Sequence, residues 1–358
     1  MTPYRSLLLP FSAGYEILAR FRAWSYRKGI VRTRRLPGVV ISVGNLTVGG
    51  TGKTPFVIWL AQNLLDRGKH VAVLTRGYRG DFRGILRSHW KDEIKKSDET
   101  ASGIADETRL LESELAKHPE AESLFAIGVG PHRFITGSQL AQAGFDWFVL
   151  DDGFQHLPLA RDLNILLIDA TNPFGGGHLL PAGGLREPRS AVQRADIVVI
   201  TRSTHAPAIE SIVRRYSVAP IHYATLKFRG LTTLISTPQG DTYTPTPRTK
   251  FFAFGAIGNP GAFFVNLREW GIPLVGHAAF PDHHKYSPGD LEYLEVQARA
   301  TGANALVCTK KDVMNLQGVV IRSFPVWVCN VSLEIHNLDG FWRNAAEILK
   351  AKRPEIVL

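Results

Sequence analysis

The segment VGNLTVGGTGKTPFVIWLAQ, Val43 to Gln62, constrains this chain more than any other. Within it, Thr47–Thr54 reads TVGGTGKT, close to the pattern GxxxxGK[ST]. That pattern grips a triphosphate because backbone N–H groups wrap the phosphates, lysine neutralises charge and the final hydroxyl takes a metal ion. Gly49, Gly50 and Gly52 keep the loop free of side chains, and Thr47, Val48 and Thr51 complete it. Lys53 would reach the β- and γ-phosphates and Thr54 would take Mg²⁺. Pro55 falls just inside the following helix, where its missing N–H costs little. An apolar run, GVVISVG, precedes the loop, and the helical TPFVIWLAQNLLDRG follows it. This order places the phosphates on a helix N-terminus. Thr47 stands where the pattern opens with glycine, which relaxes only the entry turn. The loop implies a nucleoside triphosphate, but hydrolases, switches, motors and kinases all use it.

The rest of the chain repeats the strand–helix alternation. HVAVLT, FDWFVLDDG, LNILLIDA and ADIVVITR are unalternating Val/Ile/Leu runs, expected of parallel strands covered on both faces. The fold class is therefore α/β, a P-loop NTPase-type doubly wound parallel sheet. The polar stretch from Asp81 to Ser102 reads as a surface excursion, and the Thr/Pro-rich stretch from Thr225 to Lys250 as a strand-rich linker. The pattern then restarts with KFFAFG, PGAFFVNLREWG, GDLEYLEVQARATG and NALVCT. We expect residues 37–230 to form the core domain and 231–358 a smaller C-terminal α/β domain.

Residues 1–36 are read separately. Pro10 interrupts a short leucine run, so this is no simple leader. On a helix, Phe11, Tyr15, Ile17, Leu18, Phe21 and Trp24 share one half, with arginines around them. Such a helix either docks on the core or lies in an anionic membrane interface. With 42 Lys and Arg against 32 Asp and Glu, the net charge of +10 suits an acidic partner. No apolar run is long enough to span a bilayer. Cys308 and Cys329 sit in apolar runs and are expected as buried thiols, which suits a reducing compartment.

Several further motifs carry chemistry. VLDDG ends a strand with Asp151 and Asp152, where nucleotide enzymes of this class hold a metal ion. Asp106 and Glu107 open a helix, where the helix dipole alone explains acidic residues and catalysis is a second reading. FPDHH contains Asp282, His283 and His284, better placed for proton transfer than for zinc. Arg186 and Glu187, in LLPAGGLREP, would either contact an anionic substrate or pair with each other. Thr309, Lys310 and Asp312 have the spacing of a guanine-reading turn, but in the wrong domain for a simple GTPase.

Together, VGNLTVGGTGKTP, LTRGY, the DE of ADETRLL, LDDGFQH, LLPAGGLREP, FPDHH and TKKD closely resemble the tetraacyldisaccharide 4'-kinase family. The resemblance covers nearly the whole chain and implies transfer of the ATP γ-phosphate to the 4'-hydroxyl of a tetraacylated glucosamine disaccharide 1-phosphate. It further implies ATP and Mg²⁺ as cofactors. It also implies peripheral binding to an anionic membrane surface, the cytoplasmic face of the bacterial inner membrane, with neither nucleic acid nor an obligate protein partner. Residue by residue, it implies Asp106 as the catalytic carboxylate and His283 as its partner. It places Glu107, Asp151, Asp152 and Thr54 around the metal, and Arg133, Gln155, Arg186 and Glu187 near the reacting groups. The chain departs from the family at ADET, usually GDEP, at AGGLREP, usually AGPLREP, and between Asp81 and Ser102. Two other functions compete. A GTP- or ATP-hydrolysing switch or metallochaperone would use TKKD and need no lipid. A nucleic-acid-binding ATPase would show salt-dependent binding, but no basic-aromatic platform is visible.

Overall fold

The computed structural model of this chain describes residues 3–78, 80–87, 103–234, 248–316, 324–356 and 358. The chain divides into two compact units, Met1–Thr225 with Leu333–Leu358, and Leu226–Ser332. The sequence expectation had kept 231–358 together. The chain instead returns to the first unit for its last helix.

The first unit begins with helix α1 (Pro3–Arg27), strand β1 (Val39–Asn45) and helix α2 (Lys53–Leu65). There follow β2 (Val71–Thr75), β3 (Gly84–Arg87), α3 (Asp106–Leu115), the short α4 (Ala121–Leu124) and β4 (Phe125–Val129). Then come α5 (Arg133–Gln142), β5 (Trp147–Leu150), β6 (Leu163–Asp169), β7 (Ile197–Thr201) and α6 (Pro207–Arg214), and β8 (Ile221–Thr233) starts in this unit and ends in the second. The sheet order is β8-β7-β6-β1-β5-β2-β4-β3. Its strands run parallel except β3, which lies antiparallel to β4. β3 falls within the excursion read from Asp81 to Ser102; most of the remainder lies outside the described residues.

Every residue of β1, β2, β5, β6 and β7 is buried, because helices cover both faces of the sheet. β1 and β5 are neighbours although far apart in sequence, so their carboxyl ends open side by side. This is where ligands bind in sheets of this class.

The second unit contains β9 (Phe251–Gly255), α7 (Pro260–Glu269), β10 (Leu274–Ala279), α8 (Pro288–Ala300), β11 (Ala305–Thr309) and α9 (Lys310–Leu316). β12 (Val326–His336), which starts in this unit and ends in the first, completes a parallel β10-β9-β11-β12 sheet. Alternation along β9 feeds two cores: Phe252 and Phe254 pack on one face, Phe251 and Ala253 on the other. Cys308 and Cys329 are buried free thiols, as the sequence suggests.

The return of α10 (Leu338–Lys352) to the first unit has a packing cause. Phe341, Ala345 and Leu349, spaced four apart, form its buried face. Phe341 sits edge-on to Trp59 of α2 at 5.3 Å, and Trp342 stacks on Trp59 at 5.8 Å. Burying a phenylalanine here stabilises the unit by about 3 kcal/mol. Residue spacing alone cannot announce that partner, since it lies nearly 300 positions earlier in the chain.

Candidate active site

The loop from Asn45 to Lys53 is held on a rigid frame. Gly49 and Gly52 have φ of 106° and 83°, left-handed values that favour glycine. Thr47 is not among the positive-φ residues. It forms an antiparallel bridge with Leu185, and the Val48 N–H donates to the Gly184 carbonyl at 2.8 Å. That explains why the entry needs no glycine: its backbone is part of a sheet-like clamp. Farther along, Thr201 Oγ1 donates to the Thr51 carbonyl at 3.1 Å and Arg202 Nη2 to the Gly50 carbonyl at 3.0 Å.

Lys53 Nζ donates to Asn45 Oδ1 at 3.1 Å and lies 3.6 Å from Asp152 Oδ1. Arg186 spans the same two residues. It pairs with both oxygens of Asp152, contacts Asn45 Oδ1 through Nη2, and donates through Nε to the Thr47 carbonyl at 3.2 Å. Asp152 has φ +49°, a strained value for a non-glycine residue. Burial pushes the Asp152 carboxyl up, but the Lys53 charge and the Arg186 hydrogen bonds outweigh it and hold the group below the usual carboxylate range.

Asp151 points elsewhere, accepting from Thr75 Oγ1 at 3.0 Å. Burial, then the charges of Glu107 and Asp152, push its carboxyl up to about 6. Glu107 thus belongs electrostatically with Asp151, and Asp106 beside it is buried in the first turn of α3. Asp106 Oδ1 accepts the Glu107 N–H at 2.9 Å. Gln155 Nε2 donates to the Asn45 carbonyl at 2.9 Å. Arg133 reaches the Asp151 carbonyl at 3.4 Å and His156 Nδ1 at 3.1 Å. Burial and the Arg133 and Arg161 charges lower His156 to about 3, so it stays neutral and accepts from Arg133. Glu187 turns away from this group and pairs with both terminal nitrogens of Arg194.

A model of the family described as tetraacyldisaccharide-1-P 4'-kinase matches residues 4–350. The chain belongs to the tetraacyldisaccharide 4'-kinase family. The tetraacyldisaccharide 4'-kinase of Geobacter metallireducens is 41% identical over 92% of this chain and 94% of its own length. That of Geobacter sulfurreducens is 38% identical over 92% and 88%. A crystal structure of LpxK from Aquifex aeolicus, described as an "apo" form in complex with ATP, superposes with a TM-score of 0.69. It is 31% identical and covers 97% of this chain and 99% of that one.

In this tetraacyldisaccharide 4'-kinase family member, the first unit gathers Lys53, Thr54, Glu107, Asp151, Asp152, Arg133, Gln155 and Arg186 around one loop. His283 belongs to the second unit. There it adopts φ +63° and its Nε2 lies 3.7 Å from Asp282 Oδ2, whose other oxygen accepts from Lys311 at 3.0 Å. His284 pairs with Asp290 at 3.0 Å.

The TKKD turn does not read guanine. Asp312 is 0% exposed, and both its oxygens are taken by Ala256 N–H, Tyr286 Oη and Thr309. It fastens the start of α9 to the end of β9. Sequence reasoning passed over Asn45, which joins Lys53, Arg186 and Thr47. Its signal was available, because Asn45 ends the strand feeding the loop. Arg202, paired with Asp169 and holding the loop carbonyl, was also missed. It follows β7 as an ordinary polar residue, and only the fold brings it to Gly50.

Proposed function

We infer that this chain transfers the γ-phosphate of ATP to the 4'-hydroxyl of a tetraacylated glucosamine disaccharide 1-phosphate. The observation that carries this reading is the Lys53–Asp152–Arg186 cluster at the mouth of the loop, in a chain whose family match spans 4–350.

The loop amides and Lys53 would hold the triphosphate, Lys53 leaving Asn45 and Asp152 for the phosphate oxygens. Arg186 keeps Asp152 in place as that charge arrives. Mg²⁺ fits the residues present. Asp151 is buried among like charges that a cation would relieve, and Thr54 lies in the first turn of α2. Among the described residues no three acidic or imidazole groups form a ready metal cage. That is consistent with an ion held by one or two carboxylates, a hydroxyl and phosphate oxygens. Thr54, Glu107, Asp151 and Asp152 are the residues that would hold or surround it. Bound there, it would neutralise charge on the β- and γ-phosphates.

Asp106 is our candidate for taking the proton from the sugar hydroxyl, and His283 the group proposed to share that charge during transfer. Gln155, Arg133 and Glu187 are proposed as supports of the acceptor site. The α1 face bearing Leu18 and Phe21, 69% and 62% exposed, is proposed to lie in an anionic bilayer surface, with the enzyme peripheral on the cytoplasmic side of the inner membrane. Among the described residues no helix is long and apolar enough to cross a membrane.

Incubation with γ-labelled ATP and detergent-solubilised disaccharide 1-phosphate tests the reading. Label should move to the lipid. Release of inorganic phosphate alone, equal with and without lipid, would refute it.

A further inference from the structure

Under the C-terminal end of α1, the first unit holds a basic cavity of about 470 Å³. Tyr26, Arg27, Thr33, Arg161, Gln193 and Arg194 line it. Its guanidinium groups outnumber the carboxylates ion-paired with them. Arg194 is paired with Glu187 at 2.8 Å, and its Nε is still buried without an acceptor. Among the described residues, Arg161 donates only to main-chain carbonyls, those of His156 at 2.6 Å, Phe154 at 3.4 Å and Leu159 at 3.4 Å. Among the described residues, neither Arg27 nor Arg161 has a carboxylate at ion-pair distance. Burial and the Arg194 charge lower Arg161 to about 10 against the opposing fields of Glu187 and Asp196, so it remains cationic at neutral pH.

Capping the carbonyls of the 154–159 turn explains Arg161 alone. It explains neither the open volume, nor Arg27 on its rim, nor the spare donor on Arg194. A largely buried guanidinium with no ion-paired carboxylate, such as that of Arg161, is costly unless an anion reaches it. Arginine forks match phosphate oxygens best among common anions. The helix that supplies Arg27 also exposes Leu18, Phe21 and Trp24, so an anion arriving there would be carried on a lipid.

We propose that this cavity binds a phosphate monoester borne by a lipid, with Arg27 and Arg161 as its cationic ligands and Thr33 and Gln193 as neutral donors. The phosphate belongs either to the acceptor itself, as its 1-phosphate, or to the headgroup of a neighbouring anionic lipid. The identity of the acceptor rests on the proposed kinase activity; the site does not.

The test compares wild type, Arg27→Gln and the charge-matched control Lys28→Gln. Arg27 and Lys28 are both exposed, so neither change threatens the fold. Acceptors are the disaccharide 1-phosphate and the same disaccharide without its phosphate, in neutral detergent micelles with or without phosphatidic acid. If the acceptor phosphate occupies the cavity, Arg27→Gln raises KM for the phosphorylated acceptor about tenfold, the size of one charge-assisted hydrogen bond. KM for the dephosphorylated acceptor then stays unchanged. If a headgroup occupies it, KM in neutral micelles is unchanged and the benefit of phosphatidic acid disappears. Behaviour of Arg27→Gln indistinguishable from Lys28→Gln in every arm overturns the proposal. Should the wild type label neither acceptor, the kinase reading fails. Co-sedimentation with phosphatidic-acid vesicles then decides the cavity: about tenfold weaker binding for Arg27→Gln than for Lys28→Gln supports it, and equal binding overturns it.

Discussion

Arg186 grips Asp152 with two parallel hydrogen bonds, Nη1 to Oδ2 at 2.8 Å and Nη2 to Oδ1 at 3.0 Å. Only a guanidinium makes that fork while also reaching Asn45 and the Thr47 carbonyl. Arg186→Lys should therefore behave as a severe change. A single ammonium cannot make both bonds, so Asp152 would lean more on Lys53 and hold it back from the phosphates. We expect kcat/KM to fall about 10²-fold, the scale of a misplaced catalytic group. Steady-state kinetics of the folded variant check this, and near wild-type kcat/KM would remove Arg186 from the catalytic frame.

Gly44 is required by a close approach rather than by its own φ. A Cβ there would lie 2.7 Å from both the Cβ and the N of Phe154, which is fully buried. Neither atom belongs to a flexible side-chain end, so Gly44→Ala must push the 153–156 turn off β1. The cost should be about 1–3 kcal/mol, as for other overpacked cores. Gln155 would move with the turn, loosening its bond to Asn45. Urea unfolding should show the loss, and ATP titration a weaker dissociation constant. An unchanged urea midpoint would contradict the packing argument.

Acid should weaken the second unit through the cap of α8. Asp290 Oδ2 accepts from Ser287 N–H at 2.8 Å, Ser287 Oγ at 2.7 Å and His284 Nε2 at 3.0 Å. The Ser287 side-chain and backbone bonds lower the Asp290 pKa from 3.8 to about 2. A depressed carboxylate stabilises above its unfolded pKa and loses that contribution as pH falls through the folded one. Protection of the α8 amides against hydrogen exchange should fall between about pH 4 and pH 2 in wild type. Asp290→Asn should lower protection near neutrality and flatten that acid dependence. Parallel profiles for the two proteins would show that Asp290 does not couple to α8.

Asp106 combines burial with a first-turn position, and its Oδ1 already takes a backbone N–H. Asp106→Asn keeps an acceptor for that N–H but cannot receive a proton. We expect kcat to fall about 10²–10⁴-fold, the usual range for a general base. ATP affinity should be little altered, because Lys53 and the loop amides are untouched. Binding and turnover measured on the same preparation separate the two effects. An intact kcat would send the proton elsewhere.

How legible was this site in the sequence? The loop was, because Gly49, Gly52, Lys53 and Thr54 do their work through local backbone geometry, which spacing encodes. Asp151 and Asp152 were legible as a pair at a strand end, and the structure separates their tasks between Thr75 and Arg186. Arg186 was legible only as a choice between an anion and Glu187, and its actual partner is Asp152. Arg202 and the clamp of Leu185 on Thr47 were not legible, since both arise from strands and loops more than 100 residues away. The same limit hid α10: its four-residue spacing is visible, but its partner Trp59 is chosen by the tertiary fold. The TKKD spacing was ambiguous because a buried Asp312 serving backbone and hydroxyl donors has the same local text as one serving a base.

The exposed face of α1 leads to a last prediction. The helix is tied down by its polar side: Ser12 Oγ donates to the Leu179 carbonyl at 2.9 Å and Tyr15 Oη to the Arg186 carbonyl at 3.0 Å. That leaves Leu7, Phe11, Ile17, Leu18 and Phe21 more than 60% exposed. Each such side chain transferred to hydrocarbon would contribute about 1.5–3 kcal/mol. The double change Leu18→Ser with Phe21→Ser should therefore weaken partitioning into anionic vesicles by at least about 10²-fold. Stability should hold, because neither residue is buried and the Ser12 and Tyr15 bonds survive. Transfer to a lipid acceptor should slow through KM, since the enzyme no longer concentrates on the surface that carries it. Vesicle co-sedimentation and lipid-acceptor kinetics measure the two effects together. Undiminished vesicle binding by the double variant would mean that this face serves some purpose other than the bilayer.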